Sequence, residues 1–305
     1  FQDIRIVLFT NGSLITTKIA DFLSDNQIQV LVSIDGPDLL HDSVRKDVHG
    51  AGTYEKTLKG YKTLQEAKCN VGVSSVGGIH NYRNYNELIE LYQELSPDSV
   101  GYNIPHLLLE KDNRINIPIS IFTDTIIQLY LGIRKSGIYL ENISRVVNSF
   151  ANRISRKTEC QAQGKGFTVD SRGMVGPCKS LVINDIISLP LDDEMKISDI
   201  PIFVEWSKRS PLRNDSCIVC PARKLCGGGC AYDSYIRYNK DFSHMDERIC
   251  EYHMGVLAFL LNDLYDHIKE NFKSDFYAVS VEEQRNVFMQ YLRNDKSLHK
   301  SIGHE

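Results

Sequence analysis

Apolar runs and helical periods alternate along the first half of the chain. Four short apolar runs predict β-strands over residues 4–9, 28–34, 71–76 and 99–104. Apolar positions three and four residues apart predict helices over residues 13–24, 53–68, 84–95 and 119–136. Strand–helix units repeated at this spacing are typical of parallel strands with covering helices. We therefore predict an α/β domain over residues 1–150.

The pattern changes after about residue 150, where proline, glycine and cysteine become frequent and apolar runs become short. One short strand is predicted over residues 167–170. Helical periodicity returns over residues 254–268, with acidic and basic residues between the apolar ones. These changes predict a small Cys-rich domain over residues 151–255, followed by a helical C-terminal extension over residues 256–305.

Composition excludes several classes of protein. The 305 residues carry a formal net charge of -4, so no basic surface favours nucleic acid. No apolar run approaches the roughly 18 residues that predict a membrane helix. The chain begins at Phe1 and lacks a basic segment followed by an apolar stretch, the pattern of a secretion signal. We expect a cytoplasmic protein without a membrane or nucleic-acid partner.

Cysteine is the informative residue type. Seven of the eight cysteines lie between Cys160 and Cys250, and Cys69 stands apart on the predicted α/β domain. Disulfide frameworks are typical of short secreted chains, whereas this chain is longer and has cytoplasmic features. Thiolates that bind metal are therefore the favoured interpretation, and a small buried apolar residue is the favoured interpretation of Cys69.

The cysteine spacing favours iron–sulfur clusters over zinc. The gap between Cys220 and Cys226 is too short for a zinc ribbon, and two zinc sites would need a histidine such as His244 or His253 as the eighth ligand. The glycines at 227–229 can let backbone N–H groups approach an anionic cluster. Seven thiolates serve two 4Fe–4S clusters only if one iron lacks a cysteine.

The Cys-rich segment resembles the SPASM domain of radical SAM enzymes. The shared pattern is Cys-x12-Gly-x4-Cys, then Cys-x2-Cys-x5-Cys-x3-Cys, then a last cysteine. The resemblance implies two auxiliary 4Fe–4S clusters. It assigns the outer cluster to Cys217, Cys220, Cys226 and Cys250. It assigns the inner cluster to Cys160, Cys178 and Cys230.

The first domain is similar to a radical SAM (β/α) barrel from its third strand onward. The similarity lies in Thr-Asn-Gly at 10–12, Ser-Ile-Asp-Gly-Pro at 33–37 and His-Asp-x2-Arg at 41–45. It implies that Asn11, Ser33 and Asp35 contact S-adenosylmethionine, and that Arg45 pairs with the carboxylate of this cofactor. Ordinary turn chemistry is an equal alternative for Asn11, because Asn-Gly is a frequent turn pair.

Two departures from the family pattern qualify the function. The chain has no Cys-x3-Cys-x2-Cys, the motif that in the family holds the 4Fe–4S cluster that cleaves S-adenosylmethionine. We expect that motif in a full-length parent. Lys179 also follows the second cysteine of the Cys-rich segment, where sulfatase-maturating enzymes carry an aspartate that acts as a base.

The resemblance therefore implies a peptide maturase that acts through a 5′-deoxyadenosyl radical, with no catalytic side chain assigned. Its expected partners are a peptide or protein substrate, which can contain cysteine, and a reductant such as flavodoxin or ferredoxin. Three alternatives remain: an iron–sulfur electron-transfer module, a sulfatase-maturating enzyme and a zinc-stabilised interaction domain. His106, after the fourth predicted strand, is either a proton-transfer group or, more commonly, a hydrogen-bonded strand-end residue.

Overall fold

The computed structural model of the protein describes residues 4–105, 117–192, 194, 196–271, 280, 282–283, 286–287 and 290–291. Contacts within the chain divide it into two compact units. Unit 1 consists of Phe1–Pro105, Asp112–Asn148 and Phe259–Glu305, and unit 2 of His106–Lys111 and Ser149–Ala258. The domain limits expected from the sequence, 1–150, 151–255 and 256–305, stay predictions.

The centre of unit 1 is a parallel sheet whose five strands follow the chain order. The strands are β1 (Val7–Thr10), β2 (Gln29–Ser33), β3 (Val71–Val76), β4 (Ser99–Asn103) and β5 (Tyr139–Leu140). Val30 pairs with Val71, and Val73 pairs with Val100. The four strands predicted from apolar runs are confirmed, and β3 has the predicted bounds.

Helices lie between these strands along the chain, as parallel pairing requires, and one more helix follows β5. They are α1 (Thr17–Asp25), α2 (Asp38–Val44), α3 (Tyr54–Glu66), α4 (Tyr85–Leu95), α5 (Ile119–Ile133) and α6 (Glu141–Asn152). Thr16 caps α1 by accepting a hydrogen bond from the Ile19 amide at 3.4 Å. Helices α1, α3, α4 and α5 confirm the predicted helices, whereas α2 and α6 were not predicted.

The apolar core of unit 1 lies between the sheet and these helices. Val32, Val73 and Val100 are fully buried, and so are Leu64 and Leu88 of the helices. Strand β1 is the exception, because its residues are largely exposed at the edge of the sheet.

Unit 2 contains short elements joined by turns. Its three-stranded antiparallel sheet is formed by β6 (Thr168–Val169), β7 (Met174–Gly176) and β8 (Leu189–Pro190). Its short helices are α7 (Lys179–Ile183), α8 (Pro201–Lys208) and α9 (Ala231–Arg237). The predicted strand over 167–170 corresponds to β6.

The helix predicted over residues 254–268 is confirmed as part of α10 (Glu247–Asn271), which contributes to both units. In the ranges that the structure describes, no helix has the length and apolar character needed to cross a membrane.

Candidate functional site

The carboxyl ends of the strands in unit 1 carry a buried ion pair. Asp35 follows β2 and is 3% exposed. The Arg45 guanidinium donates from Nε to Asp35 Oδ2 at 2.6 Å and from Nη2 to Oδ1 at 3.2 Å. The Val76 amide, at the end of β3, donates to the same Oδ1 at 2.8 Å. Asp35 therefore joins the ends of two neighbouring strands through a carboxylate that already accepts three hydrogen bonds.

The segment after Asp35 is held by side chains as well. The Asp35 amide donates to His41 Nδ1 at 3.3 Å, and His41 Nε2 lies 3.1 Å from Thr53 Oγ1. Burial lowers the pKa of His41, which favours the neutral imidazole that can accept at Nδ1. Asn81 donates to the Asp35 carbonyl at 2.9 Å. Sequence reasoning missed Asn81, whose position after β3 was the available signal.

The four predicted cofactor residues have different surroundings. Asp35 and Arg45 bind each other, so the structure gives them a positioning role at the strand ends. Asn11 Oδ1 accepts hydrogen bonds from the Ser13 amide at 3.1 Å and the Ser13 hydroxyl at 2.9 Å, which is turn chemistry. Ser33 ends β2 and is half-buried. The assignment of all four to S-adenosylmethionine stays a prediction.

Four of the predicted cluster ligands in unit 2 line a single cavity. They are Cys217, Cys220, Cys226 and Cys250. Cys217 ends a short 3-10 helix over Asp215–Cys217, and Cys250 lies in the first turn of α10. Burial raises the pKa of Cys226 to about 11 and raises that of Cys250. Burial thus favours the neutral thiol at Cys226 and Cys250.

The glycine-rich loop closes this cavity. Gly227, Gly228 and Gly229 all have positive φ, between 69° and 90°. The Gly228 amide donates to Cys226 Sγ at 3.3 Å. A β-carbon at Gly228 would lie 3.0 Å from Pro211 Cδ and 3.1 Å from Met245 Sδ. Only glycine fits this approach, as expected where backbone N–H groups face sulfur.

The other three cysteines form a second group. Burial raises the pKa of Cys160, Cys178 and Cys230. Cys160 and Cys178 interact electrostatically with each other, and both interact with Cys230. Cys178 and Cys230 pack against the apolar cluster of unit 2, which includes Trp206 and Tyr232. The structure therefore brings these three thiols near one another, with Cys178 and Cys230 against the apolar cluster and Cys160 more exposed.

Arg209 is a buried cation beside both cysteine groups. It is 4% exposed. Its guanidinium donates to Gly229 O at 2.8 Å, Phe242 O at 2.7 Å, His244 O at 3.0 Å and Ser234 Oγ at 3.1 Å. Burial lowers the pKa of Arg209, while the Cys230, Cys160 and Cys226 sulfurs act in the opposite direction. These contacts place a fixed positive charge where thiolates gather.

Among the described residues, no group of three or more His, Cys, Asp or Glu side chains has the geometry of a single-ion site. Lys179 begins α7 and is exposed. Cys69 is buried and donates from Sγ to Ala20 O at 3.3 Å in unit 1, away from the other cysteines in sequence. His106 lies outside the described residues.

Comparison with known proteins finds a family match over the first third of the chain. Residues 1–95 match the radical SAM superfamily. The chain is 22% identical over 282 residues to the radical SAM cyclopropyl synthase TigE of Paramaledivibacter caminithermalis, covering 88% of this chain and 55% of the relative. It is 24% identical over 242 residues to a cysteine-type anaerobic sulfatase-maturating enzyme of Clostridium perfringens, covering 73% of this chain and 63% of that enzyme. The chain thus spans less than two thirds of both relatives.

Solved structures show the same fold. The chain superposes on native anSMEcpe with bound AdoMet and Kp18Cys peptide with a TM-score of 0.72 at 19% identity, covering 88% of this chain and 77% of the other. Streptococcus suis SuiB bound to the precursor peptide SuiA gives a TM-score of 0.57 at 18% identity, with 81% and 59% covered. The mixed α/β fold with a parallel sheet expected from the sequence is confirmed.

Proposed function

We propose, from the premise that residues 1–95 belong to the radical SAM superfamily, that the chain is part of a peptide maturase with an auxiliary iron–sulfur domain. Unit 1 would be the part of a radical SAM barrel that begins at the third strand of that fold. Unit 2 would be a SPASM domain. The observation that carries the proposal is the cavity lined by four cysteines and closed by a loop of three glycines.

The four-cysteine cavity fits an outer 4Fe–4S cluster. Such a cluster takes four thiolates, and the number and residue type of the cavity's cysteines satisfy that need. The Gly228 amide already points to one sulfur, and its neighbours Gly227 and Gly229 share its left-handed conformation. A bound cluster would supply one-electron chemistry. The loop would orient N–H groups toward it and keep water from its sulfur.

Cys160, Cys178 and Cys230 would hold the inner cluster. Three thiolates leave one iron without a cysteine, so that iron is open to another ligand. The thiolate of a cysteine-containing peptide has suitable chemistry, because metals bind the deprotonated sulfur. Arg209 would offset the negative charge of both thiolate groups.

The strand ends of unit 1 would bind S-adenosylmethionine. The Asp35–Arg45 pair fixes the loops after β2 and β3, and the Ser33 hydroxyl at the end of β2 is the group that we assign to direct contact. When bound and reduced by the cluster of the full-length parent, this cofactor supplies a 5′-deoxyadenosyl radical. Ligands at the carboxyl ends of parallel strands are the general arrangement of (β/α) barrels.

A peptide substrate is supported by the relatives. SuiB is bound to the precursor peptide SuiA in one structure, and anSMEcpe is bound to a peptide in another. A reductant such as flavodoxin or ferredoxin would supply the electrons. A sulfatase-maturating activity is the second candidate, because four of the similar proteins carry that name. Lys179 counts against it, since an exposed lysine stands where sulfatase-maturating enzymes carry an aspartate base.

The proposal is tested by anaerobic reconstitution of the chain with iron and sulfide. We expect a brown protein with about eight irons per chain. Colourless protein that binds zinc instead would overturn the proposal and favour a zinc-stabilised interaction domain.

A second experiment separates the maturase from an electron carrier. The full-length protein, incubated with S-adenosylmethionine, a reductant and a cysteine-containing precursor peptide, should release methionine and 5′-deoxyadenosine and modify the peptide. Iron binding without cofactor cleavage would identify an electron-transfer module. Modification of a sulfatase peptide in place of the precursor peptide would identify the second candidate.

A further inference from the structure

Gln163 carries a buried amide whose donor side has no acceptor among the residues that the structure describes. Gln163 is 2% exposed. Its Oε1 accepts hydrogen bonds from the Glu159 amide at 2.6 Å and the Cys160 amide at 3.2 Å. Because these two N–H groups fix the oxygen, the orientation of the side-chain amide is determined. Its Nε2 group then offers two N–H donors beside Cys160, and neither reaches an acceptor among the described residues.

Trp206 has the same property on the neighbouring element. Its indole is fully buried in helix α8, and Nε1 lacks an acceptor within the described part of the chain. Cys178 and Cys230 pack against the apolar cluster to which Trp206 belongs. A β-carbon at Gly164 would lie 2.4 Å from Ser207 Cβ, so the loop that contains Gln163 lies directly against α8.

Two buried N–H donors without acceptors in one small region destabilise the folded chain. A buried N–H group without an acceptor has lost its hydrogen bonds to water and gained none in return, so folded proteins rarely retain one. The three thiols Cys160, Cys178 and Cys230 lie in the same region and interact with one another. Sulfur atoms of an iron–sulfur cluster accept N–H hydrogen bonds. Such a cluster would therefore satisfy both donors at once.

We propose that the Gln163 amide and the Trp206 indole donate hydrogen bonds to the sulfur atoms of the inner cluster and thereby set its reduction potential. This inference rests on the proposed function, since it requires the inner cluster. Hydrogen bonds to sulfur stabilise the more negative, reduced state, so they raise the potential. Gln163 and Trp206 thus act on the electronic properties of the cluster and do not contact the substrate.

The test measures the midpoint potential of the inner cluster in the reconstituted chain, by electron paramagnetic resonance at a series of set potentials. Gln163→Met removes both N–H donors at nearly constant length and without a change of charge. We expect the ratio of reduced to oxidised inner cluster at a fixed potential to fall about tenfold, a downward shift of about 59 mV for one electron. Trp206→Phe should lower the same ratio about threefold.

Two matched variants serve as controls. Gln161→Met makes the same replacement at an exposed glutamine of the same loop. Phe203→Leu replaces a buried aromatic side chain of α8 with a smaller aliphatic one and removes no N–H donor. Neither should move the potential, although Phe203→Leu lowers stability as Trp206→Phe does. Iron is counted in every variant, so that loss of the cluster is distinguished from a change in its potential.

Each result decides the question. Unchanged potentials in Gln163→Met and Trp206→Phe, at full iron content, would overturn the inference and leave the proposed function intact. If Gln163→Met loses iron because the Cys160 amide loses its acceptor, the Trp206→Phe potential decides. If Cys178→Ser leaves the iron content of the chain unchanged, no inner cluster exists, and the inference and the inner-site assignment fail together.

Discussion

The two units bury different kinds of side chain. The core of unit 1 is aliphatic and aromatic, with Val32, Val73 and Leu64 fully buried between sheet and helices. Unit 2 has a smaller apolar cluster around Trp206, and it also buries Arg209 and the thiols of Cys217 and Cys226. Apolar burial alone stabilises a sheet with covering helices. A buried charge such as that of Arg209 is tolerated only when hydrogen bonds or opposite charges satisfy it.

The difference has a physical consequence. In unit 1, regular strands pair their backbone groups and leave side chains free to pack. In unit 2, the strands have two or three residues each, so the sheet alone contributes little. Metal ligation stabilises folding strongly where regular structure is sparse. We infer that unit 2 depends on iron for its stability and that unit 1 does not.

The largest effect is expected when a ligand of the outer cluster is removed. Cys226→Ser should lower the iron content of the reconstituted chain by about four, and the thermal unfolding of unit 2 should shift to a much lower temperature. Iron analysis and calorimetry measure the two quantities. Cys69→Ser is the matched control, and a loss of iron in that variant would contradict the division between the units.

Removal of the buried cation should come next. Arg209→Met leaves three carbonyl oxygens and the cysteine sulfurs without their positive partner. We expect the free energy of unfolding of the iron-loaded protein to fall by about 3 kcal/mol. Arg209→Lys keeps the charge but reaches fewer acceptors. Its free energy of unfolding should therefore lie between those of Arg209→Met and the unsubstituted protein. Equal stability of Arg209→Met and the unsubstituted protein would contradict this role.

A cavity in the core of unit 1 should lower the free energy of unfolding by a similar or slightly smaller amount than Arg209→Met does. It should not change the iron content. Leu64→Ala removes a fully buried side chain of α3 and should destabilise unit 1 by about 2–3 kcal/mol. The iron content should remain that of the unsubstituted chain. Denaturant unfolding of the two proteins, each with its iron counted, checks both statements. Loss of iron in Leu64→Ala would show that the units are not independent in stability.

The sequence predicts the secondary structure of unit 1 better than that of unit 2. Apolar runs located β2 to β4, because buried parallel strands are continuous in hydrophobicity, and a similar run located the exposed edge strand β1. The two-residue strand β5 gave no such signal. Helix α2 over Asp38–Val44 was missed because it directly follows Asp-Gly-Pro, a turn sequence. In unit 2, the resemblance to the SPASM pattern implied the two groups of thiols, whereas the short helices α7 to α9 have too few residues for a periodic pattern.

The sequence predicted which residues belong to the candidate site better than it predicted the contacts that those residues make. The motif with Asp35 and Arg45 pointed to the strand ends, but the structure shows the two residues bound to each other. A sequence cannot distinguish a carboxylate that faces a ligand from one that joins two strands. Gln163 and Arg209 gave no sequence signal, because a single glutamine or arginine near cysteines is ordinary. Burial and unpaired donors became visible only in three dimensions.

The smallest effect is expected at Cys69. Its thiol donates to Ala20 O in the core of unit 1, so Cys69→Ala should cost about 1 kcal/mol of unfolding free energy and no iron. Burial raises the pKa of Cys69 in the folded protein. The thiol therefore contributes its full stabilisation below its ordinary pKa of about 8.5, and this contribution declines as the pH rises toward the folded value. The difference in stability between the two proteins should thus be largest near neutral pH and should shrink above about pH 9. Denaturant unfolding at a series of pH values measures it, and a difference that grows with pH would show that Cys69 is ionised in the folded state.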